Sequence, residues 1–264
     1  MINKSFLGII TFVGFIGKTI LDFLASIGTI FIFFFEVLKT VFLSTFYWKE
    51  TLKYLINIGY FSIAVVSFTA FFTGAALALQ SYNGFSRMHA ESAVAAVVAL
   101  SLTRELAPVL TGIMLAGRVS GAIAAEMATM KVSEQIDALY TMRINPISYM
   151  IIPRIIAGII TSPILLIIAD VIGVFGSYLV AVYKLGFNAE TYMIKTLNSV
   201  ELNDIMTGVY KSIIFGLIVC FIGSFYGYRT KDGALGVGRA TNSAVVTASI
   251  IILLANYIVT SIIT

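Results

Sequence analysis

Two stretches of this chain, Tyr54 to Ser86 and Ala240 to Thr264, carry no charged residue at all. A helix needs about 20 predominantly apolar residues to cross a bilayer, so both read as membrane spans. Three further windows are nearly as clean. Ser92 to Ala125 contains only Arg104, Glu105 and Arg118, Ile155 to Tyr183 only Asp170, and Ser212 to Tyr228 no charge. The pattern predicts an all-α integral membrane protein with five spans near 54–80, 92–124, 154–183, 205–228 and 240–263. Its 264 residues are 59% hydrophobic and 11% charged, against about 25% charged in soluble domains. That excludes an ordinary soluble enzyme, a disordered tail and a disulfide-stapled secreted domain. The net charge of +4 comes from scattered Lys and Arg rather than a basic stripe, so no nucleic-acid partner is expected. The single cysteine, Cys220, lies in an apolar run and can form no internal disulfide.

Residues 1–50 follow another pattern. The apolar runs Ser5–Gly17 and Phe23–Phe35 have 13 residues each, too short to cross alone. Wound as a helix, Lys4, Lys18, Asp22, Glu36 and Lys39 fall within an arc of about 100°. A stripe that narrow suits an interfacial or elbow helix with its charges facing water. A signal peptide is the alternative, but a small-residue cleavage site is missing.

Basic residues set the expected orientation. Arg118, Lys131, Arg143 and Arg154 flank one connection, and Arg229, Lys231 and Arg239 another, which places both in the cytoplasm. Five spans then leave the N-terminus cytoplasmic and the C-terminus outside. In the first of these connections Ser133 reads as an N-cap, acidic residues fill the first turn, and Asn145-Pro146 is a stop. Ile136, Leu139, Tyr140 and Arg143 recur at helical spacing. Such a helix is either a membrane-surface connector or an element that docks into a soluble partner.

Three ionisable residues stand deep in the bilayer. Arg104 and Glu105 are costly there and must pair or face a cavity. Pro108 cannot donate to the Arg104 carbonyl, so the helix should kink at this point. Arg104 is expected to meet a lipid phosphate or an acidic residue, and Glu105 a cation or a backbone donor. A purely structural pair that holds helices in register is the alternative. Asp170 reads as a strut with a basic or hydroxyl partner on a neighbouring helix. Arg118 and Glu126 read as anchors near the cytoplasmic end of their span.

The stretch Leu102-Thr-Arg-Glu-Leu-Ala-Pro-Val-Leu, the run from Ala116 through Ala-Gly-Arg-Val-Ser-Gly to Leu139, Asn145-Pro-Ile-Ser-Tyr and Ile152-Pro-Arg resemble the signature of one family. It is the permease subunit of MCE-type ABC lipid transporters, the MlaE/YrbE family. The resemblance extends to chain length and span pattern. It implies a homodimeric permease with an elbow helix over 1–50 and a coupling helix over about 130–143. It further implies a separate ABC ATPase carrying the ATP, a periplasmic MCE-domain protein and a small cytoplasmic STAS-domain subunit. The cargo implied is phospholipid, moved between a bacterial inner membrane and the MCE protein to maintain outer-membrane lipid asymmetry. Lys131, Glu134, Gln135, Asp137 and Arg143 become candidates for ATPase contact, where the plainer reading of each is a solvated charge. Leu77, Phe85 and Met88, with Arg104 and Glu105, become candidates for a lipid-binding cavity, where the plainer reading of the apolar three is helix packing.

Other signals fall away. Gly17-Lys18-Thr19 lacks the earlier glycine of a phosphate loop, since position 12 is Phe. Gly233 to Gly238 lies between two spans without a βαβ unit and reads as a tight turn. His89 is the only histidine, so no metal, cofactor or nucleophilic triad is expected in this chain. The small-xxx-small patterns Gly117–Gly121 and Gly223–Gly227 suggest close helix approach. A secondary carrier using Arg104, Glu105 and Asp170 as an ion relay is a competing function, although five spans do not form inverted halves. A non-transporting scaffold subunit is another.

Overall fold

The computed structural model describes residues 4–43, 46–231 and 233–263, and all their regular structure is helical. It divides into two units, 1–45 and 46–264. The first is a single helix, α1 (Lys4–Leu43), which runs through both apolar runs. Its part Leu24–Leu43 is long and apolar enough to cross a membrane, which makes six such helices among the described residues rather than the five expected. The difference lies at Glu36: one acidic and one basic residue in a 20-residue window do not end an apolar helix. Lys18, Glu36 and Lys39 are exposed, whereas the side chains of Lys4 and Asp22 lie outside the described residues.

The second unit holds the five expected spans, each longer than its apolar run. The first is α2 (Trp48–Ser86). The second covers 91–132 and is a composite of α3 (Val94–Ser101), α4 (Ala107–Leu115) and α5 (Gly121–Val132), joined by wide π-helical turns at Leu102–Leu106 and Ala116–Ser120. A short helix, α6 (Gln135–Thr141), follows. The third span is α7 (Ile152–Tyr183), entered through a π-helical turn at Ile147–Ile151. After α8 (Ala189–Ser199) come the fourth span, α9 (Leu202–Tyr228), and the fifth, α10 (Gly233–Ile263).

Inside a bilayer the backbone has no water to bond to, so it stays helical wherever it can. Gly233 to Gly238 departs from the expected turn: it is the opening of α10, and only Gly233 itself is left-handed, at φ 53°. The connection between the third and fourth spans also gained a helix that the hydropathy pattern did not suggest. Asn188 caps α8 by accepting the Thr191 N–H at 3.0 Å. Tyr192 of α8 is buried beside Ala95 and Ala181, with Tyr178 and Phe187 packed around it.

Small residues decide how closely the spans approach, because lipid offers no hydrophobic drive for helix association. Where α2 crosses α7, a Cβ on Gly74 would run into the Gly173 carbonyl and one on Gly176 into the Phe71 carbonyl. Between them Val66, Ala70, Leu102, Ala107, Leu166 and Ala169 form a core shared by the first three spans. The Gly223–Gly227 pattern behaves as expected, lying on the Ser120 and Ala124 backbone of the second span. In the other pattern Gly121 meets Val245, but Gly117 meets nothing within 4 Å.

Gly74→Val should force α2 off α7 and cost about 1–3 kcal/mol, as overpacking does. Gly84→Val, on the same helix in open space, is the control. Thermal unfolding in detergent, followed by loss of the monodisperse chromatographic peak, measures the difference.

Candidate functional site

Pro108 organises the charged centre of the unit. It has no N–H, so the Arg104 carbonyl four residues earlier loses its helical donor. The chain answers with the π-helical turn, in which the Ala107 N–H reaches back to the Leu102 carbonyl. The Arg104 carbonyl is then satisfied from another span: Lys211 Nζ of α9 donates to it at 2.8 Å. The same ammonium lies 2.8 Å from Glu105 Oε1. Lys211 is fully buried, and Glu105 is 39% exposed.

Adjacent residues on a helix do not face each other, so Arg104 and Glu105 take different partners. Arg104 Nε lies 3.6 Å from Asp204 Oδ1. Asp204 is two helical turns before Lys211 and on the same face of α9. Its other oxygen accepts the Glu201 N–H at 2.9 Å, closing a capping box at the start of α9. Glu105 is completed by α10, where Asn256 Nδ2 donates to Oε2 at 3.2 Å and Thr260 Oγ1 to Oε1 at 3.2 Å. One turn of the second span thus ties α9 and α10 together.

Leu106, the next residue of that turn, lines an open groove of about 630 Å³ with Phe68, Phe72, Ala76, Leu77 and Gln80 of α2. Leu77 is thus one of the groove-lining residues. Phe85 and Met88 are not in this groove: Phe85 is half-buried at the end of α2, and Met88 is 75% exposed in the turn beyond it. Asp170 departs further from expectation. It has no hydroxyl or basic partner among the described residues, and its Oδ1 is shut off from solvent.

A second charged group holds the base of the bundle. Arg154 is fully buried, with Nη2 3.0 Å from Glu126 Oε1, Nη1 donating to the Met150 carbonyl and its guanidinium 4.4 Å above the Tyr54 ring. Arg118 donates to Ser62 on α2. Both Arg118 and Glu126 are anchors, as their positions suggested.

The connection that follows is shorter and more sharply turned than expected. Ser133 does not cap α6; its hydroxyl bonds back to the Thr129 carbonyl and ends α5. Glu134 takes the left-handed conformation at φ 61° and the helix runs only over Gln135–Thr141, where 130–143 was anticipated. Arg143 is left-handed too, at φ 60°. The Ile144 N–H reaches the Leu139 carbonyl and the Arg143 N–H the Tyr140 carbonyl, a Schellman ending. Ile136 is fully buried and fixes the helix to the bundle. Glu134, Gln135, Asp137 and Arg143 are exposed and Lys131 is half-exposed, with Lys131 Nζ 2.7 Å from Asp137 Oδ1.

The model of the permease MlaE family matches residues 51–262, which is nearly the whole of the second unit. The chain belongs to the MlaE family of ABC transporter permeases. It is 51% identical to a probable ABC transporter permease protein of Rickettsia typhi, over 93% of this chain and 95% of that one. It is 33% identical to the intermembrane phospholipid transport system permease protein MlaE of Haemophilus influenzae, over 96% and 98%. The chloroplastic protein trigalactosyldiacylglycerol 1 of Arabidopsis thaliana is 34% identical over 86% of this chain and 65% of its own. This MlaE-family chain is accordingly a multi-pass membrane protein and a permease subunit.

Lys211, Asp204, Asn256 and Arg154 escaped sequence reasoning. The usable signal was Glu105 itself, since an intramembrane carboxylate demands a cation, and Lys211 is a lone lysine inside an apolar run. Removing Glu105 leaves the Lys211 ammonium buried and unpaired, whereas removing Lys211 leaves a carboxylate that still reaches water. Glu105→Leu should therefore destabilise by about 3 kcal/mol, the low end for a broken buried pair because the carboxylate is partly exposed. Lys211→Met should cost less, and the double variant less than Glu105→Leu alone. Thermal unfolding of the three variants in nanodiscs measures the cycle.

Proposed function

We propose that two copies of this chain form the transmembrane core of an ATP-driven phospholipid transporter. The observation that carries the reading is the apolar groove along α2, about 630 Å³ in volume and adjoining the Arg104–Glu105 turn, in a chain of MlaE-family sequence. A groove of this size suits lipid chains, and its open side would be completed by the second copy. The name of the Haemophilus relative, a phospholipid transport permease, supports the cargo. Leu77 lines the path; Phe85 and Met88 stand at its outer end, toward a periplasmic MCE-domain protein. Arg104 and Glu105 hold the wall of the path and present partly exposed charge to a headgroup.

ATP is bound and hydrolysed on a separate ABC ATPase, and α6 with its flanking turns is the docking element. The exposed Val132, Tyr140 and Met142 offer an apolar patch there, rimmed by Lys131, Glu134, Gln135, Asp137 and Arg143. A small STAS-domain subunit completes the cytoplasmic side. In this topology α6 faces the cytoplasm of a bacterial inner membrane, α1 lies as an elbow with a cytoplasmic N-terminus, and the C-terminus is periplasmic. Transport serves outer-membrane lipid asymmetry.

Reconstitution with the ATPase and the MCE protein tests the function. Lipid transfer should require ATP hydrolysis, and proton-driven transfer by the chain alone would overturn the reading in favour of a secondary carrier. For docking, the double reversal Glu134→Lys with Asp137→Lys should release the ATPase in a pull-down while the permease dimer persists. Full retention of the ATPase removes α6 as its seat.

A further inference from the structure

A second cavity, of about 560 Å³, shares no residue with the α2 groove. Val174, Phe175 and Tyr178 of α7 and Met193 and Leu197 of α8 form most of its wall, while Thr103 and Ile205 close one end. Thr103 and Ile205 are the chain neighbours of Arg104 and Asp204. Asp170 and Thr196 also stand in this largely apolar wall. Asp170 Oδ1 and Thr196 Oγ1 are both shut off from solvent, and neither has a hydrogen-bond partner among the described residues.

Asp170 is half-buried, and a carboxylate oxygen shut off from solvent with no partner is costly for a fold to hold. A structural strut would have found a donor on a neighbouring helix, and this one has not. The wall around it has the composition and size of a small-molecule site, apolar with a few convergent polar atoms. An ionised carboxylate is acceptor-only, and a hydroxyl oxygen accepts as well. The missing ligand group is therefore a donor, and a cationic one compensates the carboxylate best. The apolar remainder calls for a hydrocarbon chain.

We propose that the cavity between α7 and α8 is a binding site for an amphiphile with an alkyl chain and a primary ammonium head, the ammonium held at the open side of the Asp170 carboxylate. The site is lateral to the proposed lipid path and needs neither the ATPase nor the second copy. Occupancy braces α8 against α7 and presses on the wide turn of the second span at Thr103.

The full chain in phosphatidylcholine nanodiscs tests this, because a trimethylated head carries no N–H donor. A photoactivatable long-chain alkylammonium should label peptides from 171–178 and 193–200, and unlabelled dodecylamine should compete while phosphatidylcholine does not. Asp170→Asn should weaken apparent affinity about tenfold, the loss expected when a charge-assisted bond becomes a neutral one. Leu197→Trp fills the cavity from exposed α8 and should abolish labelling without touching the bundle core, which covers the case in which Asp170→Asn fails to fold. Labelling spread evenly along the spans would overturn the site, and so would labelling unchanged in Leu197→Trp. Equal affinity for dodecylamine and dodecanol, insensitive to Asp170→Asn, would overturn the ammonium assignment.

Discussion

A lysine ammonium buried in a bundle of spans is stable only if acceptors come to meet it, and Lys211 is met by a backbone carbonyl and a carboxylate from consecutive residues. The carbonyl is available because Pro108 has removed its ordinary partner. The carboxylate is available because the wide turn at Leu102–Leu106 advances Glu105 toward α9 and α10. Remove the proline and the carbonyl returns to the helix; remove the lysine and the turn has a vacant acceptor and an unpaired acid. The charged centre and the break in the second span are one feature. The groove wall at Leu106 is its continuation.

Much of this was legible in the sequence for physical reasons. Charge-free or charge-poor runs located all five bundle spans, because a bilayer imposes length and apolarity directly. Pro108 announced a freed carbonyl, and Glu105 announced a cation. What the sequence withheld was which cation: Lys211 is 106 positions away by numbering, and only tertiary packing brings it near. Ser133 misled because its hydroxyl serves the helix behind it rather than the one ahead, a choice made by the left-handed Glu134. The glycines at 233–238 misled because glycine weakens a helix without forbidding one, and only Gly233 takes up the left-handed backbone that a turn would need. At Asp170 the sequence correctly flagged an expensive group, yet the assumption that expense implies an internal partner failed. That failure is itself informative, since a polar atom shut off from water without a partner calls for an explanation.

The two buried cations divide the work of the bundle. Lys211 and the Arg104–Asp204 pair fix the starts of α9 and the far end of α10 to the broken second span. Arg154 fixes the entry of the third span to Glu126 and Tyr54 near the connection that carries α6. Between these levels the spans touch through glycines, with backbone against backbone and little side chain to deform. Contacts of that kind hold register firmly but resist compression, so relative motion is channelled to the wide turns.

The helix α6 is seven residues long, well below the length at which a helix holds itself together in water. Its form is imposed from outside, by left-handed residues at both ends, by the buried Ile136 and by the Lys131–Asp137 bridge. An element so clamped cannot absorb a push by fraying or bending. It acts as a short rigid crank on the end of α5, and any torque applied to it passes into the second span as rotation. The first place where that rotation can be taken up is the wide turn at Ala116–Ser120, one helical segment away.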